Sequence, residues 1–575
     1  MHVKIFLIFL FISNLSLAQQ NEFKPILITN KVYSVIKYYN PVRNYKKIEW
    51  DELLVDLVND SRGLKNDSSL IELLNKRFKP FNKKFIFSLN KLNIDSLNKK
   101  QSKITHFYYE HLGCGFEAGY FGFNKPSYFS CIKKVVSTDS LFQEYSSYIE
   151  FKLDDNLFFY FTYPSSLIKI NYTPKNKVTK KLLLNATNLN YRIASLLKVF
   201  NIISIFKIDT NFNKTNFENK LFQSLVQTKS DKSIIDFYNT MNHFLSFIND
   251  GHAQFNLGYR TGIMAYSKSK YFPKFTTQII QNRIFIKDID STLATKLIKG
   301  DEILQANNIS SETLIKQKMQ TVSANTIGYK VFKVNDCLFE SFKQDSIFEF
   351  EIKREDSIFK LATKSNNFFQ YQKSNIAYSE PIMFLDDSIA YINLTSSKLS
   401  VKQIQKNAAK FNAAKGIIFD LRGYPSYKTD KILALFIDKT ITTANFKIPI
   451  ISQPNNLNTK YDVSNWSINP NQIIKNKYYV ITDMTVSWGE TILEMIKRYK
   501  IATIIGGISA GTNGDVASVS LPIGYFWITG LLIESNGINP LPVKPDYLYE
   551  PTIYDFINSE NDLYIEQAKK IINGK

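Results

Sequence analysis

The sequence predicts an α/β protein, and three observations carry that prediction. In the last third of the 575 residues, short apolar runs at 389–394, 416–421 and 478–482 alternate with helical stretches such as 401–414. Apolar runs of strand length separated by helices indicate a largely parallel sheet buried on both faces. Residues 272–364 read instead as short strands with one helix, and the first half pairs amphipathic helices with aromatic strand-like runs such as 158–163.

The chain opens with Met1-His2-Val3-Lys4, an apolar run from Ile5 to Ile12, and Leu15-Ser16-Leu17-Ala18 before Gln19. A basic start, an apolar stretch short of the ~20 residues a spanning helix needs, and small residues at a polar boundary predict a secretory signal peptide over 1–18. Cleavage is expected after Ala18. The chain is then exported to a periplasm or beyond the cell. No cysteine follows the apolar run to hold a lipid, and no later run reads as long enough to cross a membrane, so no stable insertion is expected once the signal is removed.

The formal charge of +21 raises nucleic acid as a partner. The lysines are scattered among Asn, Ile and Phe, however, without a dense basic run, a zinc-finger spacing or an aromatic RNP motif, and no nucleic acid partner is predicted. No His, Cys and Glu cluster has metal-ligand spacing, and no P-loop or dinucleotide fingerprint occurs. Neither metal nor cofactor is expected. Of three cysteines, Cys114 and Cys131 can pair after export and leave Cys337 free, a pairing that spacing alone leaves open.

Four regions follow the signal. An N-terminal region, 19–190, opens with a helical hairpin at 33–41 and 50–58 around a Pro-containing turn. A helical segment, 191–265, carries Asn249-Asp250-Gly251-His252. Its Phe206 and Phe217 repeat the spacing of Tyr39 and Trp50, which points to an internal duplication of the hairpin. Residues 266–370 contain Gly300-Asp301-Glu302-Ile303-Leu304, a turn into a strand, and 371–575 holds the alternating strands and helices.

Ser487 lies where the strand 478–482 gives way to a helix at 491–500. A serine at such a junction exposes its hydroxyl, and the helix N-terminus turns free amides toward a developing oxyanion. In the alternative reading Ser487, or Thr485, caps the helix, with Glu490 completing a capping box.

Several motifs together resemble peptidase family S41, which includes the C-terminal processing and tricorn-like serine peptidases. They are Thr485-x-Ser487-x-x-Glu490, the upstream run from Lys415 to Pro425 with Asp420-Leu421-Arg422-Gly423, the downstream Gly506-Gly507, the Tyr38-Tyr39-Asn40-Pro41 hairpin, and Asp250-Gly251-His252. The resemblance implies a crotonase-like (ClpP-type) catalytic core and a PDZ-like domain, whose Gly-Asp-Glu-Ile-Leu turn is the one at 300–304. It implies Ser487 as nucleophile. Processing proteases take their base from a lysine after the Gly-x-x-x-x-Gly loop, but here Gly511 is followed by Thr512. Tricorn-like members use a histidine before the PDZ-like domain, which is His252. The implied acid is Glu534, ahead of Gly537-Ile538-Asn539-Pro540, with Asp546 as the alternative. The implied oxyanion hole joins the amides of Trp488 and Gly423, although Ser426-Tyr427 stands where processing proteases carry a glycine pair.

The expected function is an exported serine peptidase acting on peptides or proteins through an acyl-enzyme. A non-catalytic peptide-binding module on the same fold is the alternative, and a basic surface-binding protein lacks the clustered face it needs.

Overall fold

The computed structural model describes residues 2–98, 105–119, 129–174, 187–207, 214–257, 270–367, 380–385, 388–454, 459–559 and 561–574. Its central sheet runs in the order Ile382–Leu385, Ile389–Asn393, Gly416–Asp420, Tyr478–Thr482, Thr503–Gly506, Tyr547–Leu548. Only the first of these strands pairs antiparallel. Strands Ile389–Asn393 and Gly416–Asp420 are buried at every position. Alternation explains why both faces are apolar. Ala390, Ile392, Ile417, Phe419 and Val480 pack against Ile492, Leu493 and Ile496 of the helix Trp488–Arg498, while Ile389, Tyr391, Ile418 and Ile481 meet Ile565 and Ala568 of Leu563–Ile572.

A second, antiparallel sheet joins Phe275–Ile280, Arg283–Ile289, Glu302–Ala306, Ile347–Arg354 and Ser357–Lys364 around its own apolar core. The turn at Gly300 needs the left-handed region, with φ of +93°. Asp301 beside it is buried and receives both arms of Arg354 at 2.7 Å. Two helices, Ser311–Met319 and Ile327–Cys337, flank this sheet; the sequence reading had one helix here.

In the first half, His2–Tyr39 and Trp50–Ser61 form one helical hairpin, and Leu189–Phe206 and Lys214–Ser230 a second. Tyr39 and Phe206 each close the first helix of their pair, in keeping with the expected repeat. The first helix begins inside the expected signal segment, and its Phe23, Ile26 and Ile28 lie in the core. Among the described residues, Leu189–Phe206 is long and apolar enough to cross a membrane, contrary to the sequence reading, but most of it is buried inside the fold. A core helix that is apolar nearly all round passes the same test of length and composition.

The sheets disregard the expected regional boundaries. Thr105–Leu112 pairs with Asn445–Ile451, and a four-stranded sheet orders Ala118–Gly119, Val516–Ser520, Tyr525–Thr529 and Gln254–Asn256. One apolar core therefore includes both Phe23 to Leu257 and residues such as Val519, Phe526 and Ile528. All three cysteines are free, and Cys131 faces Glu110 across its strand pair while Cys114 is buried elsewhere in the core.

At the centre of the paired hairpins, Glu117 accepts Lys37 Nζ at 2.6 Å and Lys198 Nζ at 3.1 Å, and Lys198 also reaches Asp51 at 2.6 Å. Burial raises the Glu117 carboxyl, but the two ammonium groups outweigh it and hold it down at about 2. Glu117→Gln leaves two buried cations sharing Asp51 and should destabilise the protein by about 3–5 kcal/mol at neutral pH, read from the urea midpoint. Because the folded carboxyl lies below its unfolded value of 4.5, its stabilisation is full above that pH and fades as pH falls toward about 2. The variant should lack that acid-labile part.

Candidate active site

The strand Tyr478–Thr482 ends at the carboxyl edge of the parallel sheet, and the turn 483–487 delivers Ser487 to the start of the helix Trp488–Arg498. Ser487 sits at φ +56° and ψ −121°, a conformation few non-glycine residues adopt. Its side chain makes no cap hydrogen bond, which removes the helix-cap reading. Thr485 is no cap either. Its hydroxyl is buried against Thr482 and donates to the carbonyl of Leu421 at 2.8 Å, tying the serine turn to the neighbouring strand's end.

Glu490, fully buried in the first turn of the helix, faces the loop that follows the next strand. Its carboxylate accepts the Ser509 hydroxyl at 2.5 Å and the amides of Gly511 and Thr512 at 2.7 and 2.8 Å. Burial pushes this carboxyl up to about 7, against the pull of those donors. The loop it holds accepts in turn: the Ser487 amide donates to the Thr512 carbonyl at 2.8 Å.

The same threonine meets the Asp250-Gly251-His252 segment. A side chain at Gly251 would collide with the Thr512 hydroxyl. Asn325 Oδ1 accepts both the Gly251 amide at 2.8 Å and the Thr512 hydroxyl at 2.7 Å. Ser487 and the His252 segment thus flank Thr512, from chain positions far apart. Thr512 is the residue after Gly511, where the resemblance leads to the expectation of a lysine in the processing proteases. Lys333, from the helix Ile327–Cys337, comes near, but its Nζ donates to the carbonyls of Gly251 and Ser323 at 3.0 Å each. Burial lowers that ammonium to about 8.

His252 is followed by the strand Gln254–Asn256, which pairs with Tyr525–Thr529. That pairing sets His252 Nδ1 2.9 Å from the hydroxyl of Thr529. Thr529 donates its hydroxyl to Asp250 Oδ1 at 2.7 Å and its amide to Oδ2 at 2.8 Å, and the His252 amide also donates to Oδ1 at 2.9 Å. Burial lowers the pKa of the His252 ring more than Asp250 raises it, with Lys333 adding to the depression. The Asp250 carboxyl is buried, yet Lys207, His252 and the Thr529 donors keep it below the usual carboxylate range.

The expected acids lie elsewhere. Glu534, on Leu532–Glu534, is paired with Lys447 Nζ at 2.6 Å, and Asp546 engages Lys497 and the Ile504 amide. Neither is brought to the Nδ1 of His252, where Thr529 stands. Sequence reading missed Thr529 because a threonine at a strand end carries no mark of its own; only the pairing of two strands distant in sequence reveals it.

The Trp488 amide, at the first helical position, has no acceptor within the helix. Pro425 lies against the same helix start, since a side chain on Gly489 would meet it at 3.4 Å, and this brings the Arg422–Pro425 loop alongside. Arg422 anchors that loop by donating to Asp420 and Asp562 at 2.7–3.0 Å. Gly423 is not in the positive-φ region; its lack of a side chain serves a close approach to Thr395, 3.2 Å from where a Cβ would be.

Glu490→Gln offers an amide group where an acceptor is needed. The Gly511 and Thr512 amides should then exchange with deuterium at least tenfold faster, and the thermal midpoint should fall, by an amount reflecting about 1–3 kcal/mol for an unpaired buried donor.

Residues 388–533 match the family model of peptidase family S41. No curated protein sequence matches the chain. Among solved structures, mature CPAF complexed with lactacystin is 12% identical, with a TM-score of 0.53 over 67% of this chain and 99% of its own. Mature CPAF is likewise 12% identical, with a TM-score of 0.50 over 67% and 98%. At that identity the likeness is one of fold. The matched segment contains four strands of the parallel sheet, the Arg422–Pro425 loop and the Ser487 turn just described, so the similarity to peptidase family S41 falls on the part of the chain that holds the candidate site.

Proposed function

We propose that this chain is an exported serine peptidase that cleaves peptides or proteins through an acyl-enzyme, with Ser487 as nucleophile and His252 as base. The observation that carries this reading is the setting of Ser487. It occupies a strained turn at a helix N-terminus, its hydroxyl uncommitted to the helix, with the His252 segment packed on the loop that holds its amide. The parallel sheet is in this reading the crotonase-like core, and the antiparallel sheet with its two helices is the PDZ-like module that receives the peptide.

The steps follow from the residues. His252 takes the Ser487 proton as the oxygen attacks the substrate carbonyl, and the amides of Trp488 and Gly423 receive the oxyanion. The ring returns the proton to the leaving amine, and a water deprotonated by the same ring releases the acid. Glu534, the acid expected from the family pattern, pairs with Lys447 in this structure, so the reading does not depend on it.

A second reading, a peptide-binding module without turnover, draws on one observation: the indole of Trp488, the bulky residue directly after Ser487, stacks on Trp466 with ring centres 5.5 Å apart. A fluorophosphonate probe separates the two. The peptidase labels at Ser487 and Ser487→Ala abolishes labelling, with peptide hydrolysis reduced by about 10⁴-fold or more. Labelling absent at every pH would favour the module.

Hydrolysis should also climb with pH through an inflection below the ordinary imidazole value, since burial lowers the His252 ring. The base must be neutral to act, so the depressed value extends activity toward acid. His252→Ala should remove the inflection along with the activity; a rise confined to alkaline pH that survives His252→Ala would point to a lysine base.

A further inference from the structure

We propose that the Thr529 hydroxyl is the positioning group of the base, linking the carboxylate of Asp250 to the ring of His252 and fixing which ring nitrogen is free to accept a proton. The inference rests on the reading of His252 as base. The Asp250 carboxylate can only accept, and its ionised form is favoured by Lys207, His252 and the two Thr529 donors over the opposing effect of burial. Thr529 has one hydroxyl proton, and the 2.7 Å contact to Asp250 Oδ1 uses it. The same oxygen lies 2.9 Å from His252 Nδ1 and has only lone pairs left to offer. Nδ1 must therefore carry the ring proton. Nε2 is then the unprotonated nitrogen, available to take the Ser487 proton.

The link also carries charge. When the ring becomes imidazolium, Nδ1–H donates to an oxygen that is itself polarised by a carboxylate, so the cation is stabilised without direct contact with the acid. This matters because the other charge facing the ring is the ammonium of Lys333, which disfavours imidazolium. The Thr529 amide bond to Asp250 Oδ2, at 2.8 Å, holds the acid in place independently of the hydroxyl. That bond makes the side chain testable on its own.

Thr529→Val keeps the branched shape and the amide bond but removes the hydroxyl, and Thr529→Ser restores it. With the full exported chain and a fluorogenic peptide, Thr529→Val should lose about 10²-fold or more in kcat/KM, with the acid inflection moved to lower pH. Thr529→Ser should recover both. In ¹⁵N spectra of histidine-labelled protein, His252 should show a protonated Nδ1, and Thr529→Val should lose that preference. Wild-type rate and inflection in Thr529→Val overturn the proposal, as does equal slowing in both variants. Failure of the underlying reading looks different: wild-type protein would then leave Ser487 unlabelled by the fluorophosphonate probe.

Discussion

The end of the parallel sheet that carries Ser487 is organised by one buried acid with no ion-pair partner among the described residues. Glu490 is held by two amides and a hydroxyl, all from the loop that follows the strand Thr503–Gly506. Burying an acid this deeply is unfavourable, and only a full set of donors offsets it. The consequence is a loop tied at three points to one helix residue. Its Thr512 carbonyl receives the Ser487 amide and its Thr512 side chain receives Gly251, so the strained serine turn and the histidine segment share one support. Strain at Ser487 persists because the surroundings over-determine it.

Much of this was legible in the sequence. The parallel sheet could be read because strands buried on both faces leave unbroken apolar runs, and helix ends fell where polar turns interrupt them. Ser487 was placed at its junction by the same pattern. What the sequence left undecided was whether its hydroxyl caps the helix; geometry answers that, since a residue at φ +56° turns its side chain out of capping position.

The sheets that cross the chain were not legible. Thr105–Leu112 bonds to Asn445–Ile451, and the strand after His252 bonds to one near residue 527, yet no local pattern records either partner. Strand register is set by the two faces a strand buries, and period-two alternation alone does not name its neighbour. The same blindness explains the acid. Glu534 was chosen by its place in a family string, whereas the partner of the His252 ring is a threonine that no string distinguishes.

The bond between Asp250 and Thr529 spans 279 residues of chain. Loops of that length close late, after the local helices and hairpins have formed. A ribosome that has released only the first half has made the imidazole without its hydroxyl partner, and without the serine. Under the proposed reading, the molecule has no working centre until nearly its last strand is in place. In that reading immature and truncated forms are latent, because the imidazole meets its hydroxyl partner only across a strand pair that joins distant parts of the chain.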